Sequence, residues 1–502
     1  MEHDVIVVGA GSSGGPLAAR LSEDRQRSVL LIEAGPAFRT VGEIPDEARC
    51  AGSMATTIPG HHNNWSFVGN LTPTLRYPVP RGRLLGGSSS INGSLFTRGT
   101  REDFDTWAAR GNNDWSWAEV LPYFRKLEDD RDFDDEYHGK GGPIPVARLT
   151  ESTMSPISGA FAEACREMGF PDEPDKNAPG APGVGPLPLN VVDGVRISTA
   201  IGYIIPSQGR PNLTVRGNAF VRRVLFEGKR AVGVEVEIDR HLQTIRGGEV
   251  VLCAGAIKSP HILLLSGVGP AAELRAIGIP VVHDLAMVGK NLTDHLDVAI
   301  SYQPVDALQS DPTMVMAQTA LHYTAQGSDV VGGMEILPIV VSLPTQSGEL
   351  TFLANSQYEE GRGEVRIRSA DAHIAPELQY NYLSEAGDRA RARANVRLAI
   401  ELLESRPMRS LVVRRTSAEG IDLSSDKQLD RWLLAKIGTA FHTSSTCKMG
   451  SADDDTAVVD QMCRVRGVEN LRVVDTSIMP EIVRRGTNAT AIMIGERAAQ
   501  FF

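Results

Sequence analysis

The first 35 residues constrain this chain more than any other stretch. Asp4-Val5-Ile6-Val7-Val8 is a short apolar run, followed at once by Gly9-Ala10-Gly11-Ser12-Ser13-Gly14. A helix-compatible segment, Pro16-Leu17-Ala18-Ala19-Arg20-Leu21, comes next, and Val29-Leu30-Leu31-Ile32 then ends in Glu33. Strand, glycine turn, helix, strand and acid together make one dinucleotide-binding unit. Gly9 suits the tight turn, Gly11 a close approach of backbone to a pyrophosphate, and Gly14 close packing of helix on strand. The helix start offers unpaired N–H groups and the positive end of the helix dipole to phosphates. Glu33 stands 22 residues after Gly11, where a carboxylate can accept hydrogen bonds from an adenosine ribose.

Composition narrows the class. A chain of 502 residues exceeds what one hydrophobic core usually serves, so two domains are expected. A net charge of −11 argues against nucleic acid or an anionic membrane surface as partner. No apolar run approaches the roughly 18–20 residues needed to span a bilayer. Met1-Glu2-His3 leads into the first strand without a basic, signal-like segment. The five cysteines (Cys50, Cys165, Cys253, Cys447, Cys463) show no metal-ligand spacing and fit packing roles in a reducing compartment. The expectation is a cytoplasmic protein without structural metal.

Along the chain, residues 36–150 look loop-rich, and the acidic run Asp129–Glu136 is expected to be a solvated loop. Residues 151–190, rich in Pro and Gly, are expected to wander over the surface. Strand-like pieces follow at Leu213–Val215, Ala219–Phe226, Gly233–Glu237 and Glu249–Cys253. The middle, 298–433, alternates strand-like segments (Glu349–Leu353, Gly363–Arg368) with an amphipathic helix around Arg389–Glu404. The tail returns to a strand at Asn470–Asp475. The expected fold is α/β. A Rossmann-like domain is built from discontinuous segments 1–150, 191–297 and 434–502. An α+β substrate-binding domain with an antiparallel sheet takes 151–190 and 298–433.

Three further segments carry chemistry. Gly82-Arg83-Leu84-Leu85-Gly86-Gly87-Ser88-Ser89-Ser90-Ile91-Asn92 offers backbone donors and hydroxyls without bulk, suited to closing over a flat polar ring. The second segment runs from Gly255 through Lys258-Ser259-Pro260-His261 to Gly269. The third is the tail, with Phe441-His442, Thr446-Cys447-Lys448-Met449-Gly450, Val474-Asp475-Thr476-Ser477 and Gly486-Thr487-Asn488-Ala489. In these segments, and in Val288–His295 and Tyr137-His138-Gly139, the chain resembles the glucose–methanol–choline (GMC) oxidoreductases, which bind FAD and oxidise alcohols. The likeness extends from residue 4 to the C-terminus.

That resemblance implies FAD as cofactor and a small alcohol as substrate, with oxygen or a quinone-type compound as electron acceptor. It carries the cofactor contacts onto Gly9, Gly11, Ser12, Ser13, Gly14, Glu33, Ala34, Arg83, Gly86, Gly87, Ser88 and Ser89. It continues them through Asn92, Gly93, Val221, Ala254, Gly255, Asp475, Thr487 and Asn488. It also places His442 and Asn488 beside the flavin as the catalytic pair. Alcohol oxidation must remove a hydroxyl proton and a hydride, and a flavin takes the hydride, so the protein must supply a base and a polar clamp. Histidine titrates near neutrality and fits the base, whereas an asparagine can only orient. The other ten histidines, among them His61, His62 and His261, are expected to be structural.

Departures from the family pattern matter as well. Where flavin-linked relatives have a histidine, this chain has Ile91, so FAD is expected to be held noncovalently. Arg484 and Arg485 precede the Gly486-Thr487-Asn488 turn, as exposed or ion-paired residues, or functionally as a cationic rim for an anionic substituent or as charge stabilising reduced flavin. A rival activity on the same scaffold is hydroxynitrile cleavage with the flavin idle.

Overall fold

The computed structural model describes residues 2–306, 313–341 and 348–502. Met1 and the segments 307–312 and 342–347, the last two within the expected substrate domain, lie outside the described residues.

The strand His3–Val8 sits inside a seven-stranded sheet, with Val29–Ile32 parallel on one side and His241–Leu252 parallel on the other. Leu213–Arg216 extends the first side, and Leu471–Val473 pairs in parallel with Val250–Leu252. Val5–Val8 and Val29–Ile32 are buried throughout, as the inner strands of a helix-covered parallel sheet must be. The 12-residue strand His241–Leu252 serves two structures. Its second half joins the parallel sheet, and its first half pairs with Arg230–Ile238 in an antiparallel ribbon continued by Ala219–Glu227. Helices Gly14–Leu21 and Asn488–Ala498 pack together, so the two termini complete one layer.

A second seven-stranded, antiparallel sheet runs Val412–Arg415, Leu296–Pro304, Leu350–Ser356, Met334–Ile339, Thr319–Tyr323, Val184–Pro186. Ile437–Thr439 also pairs with Leu296–Pro304. Alternation divides its side chains. Val298, Ile300, Ile336, Phe352 and Ala354 share a core with Val396, Ala399 and Leu403 of helix Ala386–Leu403. Leu337, Ile339 and Leu353 face the other way, into a cavity.

Several expectations need correction. The strands Leu296–Pro304 and Ile437–Thr439 belong to the second sheet, so a cut at 297/298 splits a strand of that sheet, and a cut at 433/434 runs through helix Asp426–Lys436 and severs Ile437–Thr439 from its sheet. Residues 151–190 are not a surface excursion. Ser155 caps helix Pro156–Glu167, whose Phe161, Ala164 and Cys165 are buried, and Val184–Pro186 joins the sheet. Within 36–150, Thr100 and Asp103 form a reciprocal capping box that starts helix Arg101–Ala109. Helix Trp117–Leu127 follows. The acidic run is also not wholly solvated. Asp130 is buried with His138 at 3.1 Å and Arg148 at 2.9 Å, and Glu128 is buried beside Arg98 and His138. Burial opposes charge on His138, but the hydrogen bonds its ring donates to Asp130, Asp175 and Glu128 win and raise its pKa to about 10.

Candidate active site

A single large cavity runs between the glycine turn of the first sheet and the inner face of the second. At the dinucleotide end it is lined by Gly9, Gly11, Ser12, Ser13, Glu33, Ala34, Gly87, Ser88, Val221, Ala254, Gly255 and Asp475. At the other end stand Asn92, Gly93, His442, Thr487 and Asn488. Four of the expected cofactor residues stand behind this wall. Gly14 packs against the turn, where a Cβ would lie 1.9 Å from Gly9 O. Gly86 donates its N–H to Ala10 O, and Ser89 bonds Gly86 O and Thr199. Arg83 lines a neighbouring cavity and stacks over Trp65 at 5.1 Å.

The geometry of the turn fits a dinucleotide. Gly9 has φ of +102°, a conformation open to glycine. A Cβ at Gly11 would meet only Gly87 Cα, at 3.8 Å, so the space beside it belongs to the cavity. Glu33 is buried and accepts the N–H groups of Ala10 (3.1 Å) and Gly35 (2.9 Å), and burial raises its pKa to about 7. Asp475 accepts the N–H groups of Gly255 and Ser477 and so fixes the start of helix Gly255–Leu265.

His442 is held by a segment 147 residues earlier in the chain. Thr293 and Ser444 exchange backbone hydrogen bonds, and the Asp294 carboxylate accepts from His442 N (2.7 Å) and Thr443 Oγ1 (2.8 Å). Phe441 adopts φ of +63°, turning the chain as it leaves strand Ile437–Thr439. His295 Nδ1 lies 2.8 Å from His442 Nδ1, and His295 Nε2 lies 2.9 Å from Val483 O. A carbonyl can only accept, so His295 carries its proton on Nε2. Burial favours the neutral form of both rings, strongly for His295, and the neutral His295 therefore presents a lone pair at Nδ1. His442 donates its Nδ1–H to that lone pair, which leaves Nε2 as its basic nitrogen. Asn488 Oδ1 accepts from Ser12 Oγ at 3.1 Å, while its Nδ2 is buried and makes no hydrogen bond. The cavity thus brings together a proton acceptor and an unspent donor, the two groups an alcohol oxygen needs.

His295, expected to be structural, spends its two ring nitrogens on His442 and on Val483 O. The second sheet adds what the sequence did not reveal at all. Its register sets Gly438, Asp297, Asn355, Glu335 and His322 in one cross-strand row. Asp297, Asn355 and Glu335 line the cavity. Glu335 accepts from Asn355 Nδ2 (2.7 Å), Gln357 Nε2 (3.0 Å) and His322 (3.0 Å). These bonds outweigh its burial and hold its pKa at about 2. Asp297 has a buried Oδ1 without a partner, and burial together with the Glu335 charge raises its pKa to about 7. The next cavity-facing residues, Leu337, Leu353 and Ile339, are apolar.

Neither Arg484 nor Arg485 lines the cavity. Arg484 Nε donates to Asp103 Oδ1 at 2.7 Å, and the buried Arg485 donates to Gly332 O at 3.0 Å. His261 is buried and neutral, accepting from Lys258.

A dinucleotide cradle, a buried histidine and an amide donor converge on one cavity, an arrangement that fits a flavin-dependent alcohol oxidoreductase. The GMC oxidoreductase pattern matches residues 4–297 and again 359–495, and the chain belongs to that family. It is 41% identical over 503 residues to an uncharacterised GMC-type oxidoreductase of Rhodococcus erythropolis, covering 99% of this chain and 97% of that one. It is 38% identical to an oxygen-dependent choline dehydrogenase of Pectobacterium carotovorum, covering 99% and 94%. The crystal structure of pyridoxine 4-oxidase from Mesorbium loti matches with a TM-score of 0.92 at 30% identity, covering 99% and 98%. The protein is accordingly an FAD-dependent oxidoreductase of the alcohol-oxidising type. Among the described residues no helix is long and apolar enough to cross a membrane.

Proposed function

We propose that this enzyme oxidises a small alcohol carrying a basic nitrogen, with His442 Nε2 as the base. The observation that carries the base assignment is the hydrogen-bond chain Val483–His295–His442, which leaves Nε2 of His442 free to accept a proton. When bound, FAD supplies the hydride acceptor, flavin N5. His442 takes the hydroxyl proton, and Asn488 Nδ2 donates to the same oxygen and orients it. His295 locks the tautomer of His442, and the nearby charges of Asp294 and Glu335 favour the imidazolium that forms. The Asp297 carboxylate supplies a counter-charge for a protonated nitrogen, and Leu337 and Leu353 receive the carbon skeleton. The similarity to a choline dehydrogenase and to pyridoxine 4-oxidase supports a nitrogen-bearing substrate.

Ile91 lines the cavity and offers no nucleophile, which supports noncovalent FAD. Acid precipitation should therefore leave the flavin in the supernatant, and colour kept in the pellet would refute that point. The hydroxynitrile lyase alternative draws no support from the family or the relatives matched. Anaerobic bleaching of the flavin by a panel of amino alcohols and their uncharged counterparts tests the function. Admission of air then separates oxygen from a quinone-type compound as acceptor. Rapid bleaching by the amino alcohols is expected, and no bleaching by any alcohol would contradict the reading.

A further inference from the structure

We infer that Lys258 is an additional cofactor-binding residue, its ammonium hydrogen-bonding the adenine of FAD from within a box of Trp65 and Phe220. Lys258 is only 7% exposed, on the first turn of helix Gly255–Leu265. Its Nζ lies 5.2 Å from the ring centre of Trp65 and 5.2 Å from that of Phe220. It donates to His261 Nδ1 at 3.0 Å, and among the described residues no carboxylate stands within ion-pair distance of it. Two of its three protons are thus unspent.

A buried ammonium with a neutral histidine and two aromatic faces is under-compensated, and burial, then the charge of Arg83, pulls its pKa down to about 8. Such a site gains from a ligand that brings acceptors and a π face together. Its position says which ligand part that is. Lys258, Ala34, Trp65 and Phe220 form the partition between the large cavity and a smaller one beside Arg83 and Asn218. Ala34 follows Glu33, the ribose acceptor, and Phe220 precedes Val221, so the partition lies at the adenosine end of the cradle. The phosphates have their own donors at the start of helix Gly14–Leu21. A purine supplies in-plane ring nitrogens for the Lys258 N–H groups and a face for the cation.

The test uses apoprotein stripped of flavin. Dissociation constants for FAD and FMN are read from quenching of flavin fluorescence, with ADP and inorganic pyrophosphate as competitors. Lys258→Met should weaken FAD and ADP roughly 10- to 100-fold, the worth of one charge-assisted hydrogen bond, and leave FMN and pyrophosphate unchanged. Equal losses for FAD and FMN, a loss for pyrophosphate, or an unchanged FAD affinity would overturn the inference. A second measurement needs no variant. In the natural protein FAD affinity should fall as pH rises above about 8, while FMN affinity stays level through the same range. Parallel pH profiles for the two flavins would likewise overturn it.

Discussion

The two walls of the cavity are built on opposite principles. The dinucleotide wall is made by backbone, with Gly9 at a positive φ and Gly14 packed under the Gly9 carbonyl. The substrate wall is made by side chains standing on an antiparallel sheet, where any residue can occupy any strand position and only register decides what meets. The first wall demands particular residue types at particular spacings. The second demands only that the strand hold.

This contrast can be tested by breaking each wall. Gly14→Ala places a Cβ 1.9 Å from Gly9 O and 2.8 Å from Cys253 Cβ, backbone and packed core that cannot step aside. It should cost about 3 kcal/mol or more of stability, read by chemical denaturation, together with loss of bound flavin. Glu33→Ala should weaken FAD binding by about 1–3 kcal/mol, measured as a dissociation constant, because a buried acceptor is lost. Asp297→Asn should leave the fold and the flavin unchanged and raise KM for a basic alcohol about tenfold, ~1.4 kcal/mol. Its neutral analogue should be unaffected.

The last comparison has a pH signature. The Asp297 carboxyl is raised to about 7, so it is largely neutral below that pH and charged above it. KM for a cationic alcohol should therefore fall as pH rises through about 7, and the Asp297→Asn enzyme should lack that limb. His442 moves the other way. Burial lowers its pKa below the ordinary histidine value, so the base should remain competent into mildly acidic solution.

Legibility followed the same division. The Rossmann-like unit was legible because strand, glycine turn, helix and acid are local in sequence, and the strands Val29–Ile32 and Leu471–Val473 stand where the apolar runs place them. His442 and Asn488 were legible through family motifs, and the structure puts both on the cavity. His295 was not, because its role depends on a partner 147 positions away. Asp297, Asn355 and Glu335 were not, because three strands from distant segments must align before they form a row. The acidic run hid the buried Asp130, since its cationic partner Arg148 lies 18 residues on. Arg484 and Arg485 were left between two readings that only their partners, Asp103 and Gly332, separate.

The central claim is that His442 removes the alcohol proton, and anaerobic stopped-flow reduction of the flavin in His442→Ala tests it most directly. The variant should bind FAD normally and reduce it roughly 10²–10⁴ times more slowly. The deficit should shrink as pH rises and alkoxide forms without a catalyst, whereas the Asn488→Ala deficit should depend much less on pH. Near-normal flavin reduction by His442→Ala on a good substrate would contradict the account and place the base elsewhere.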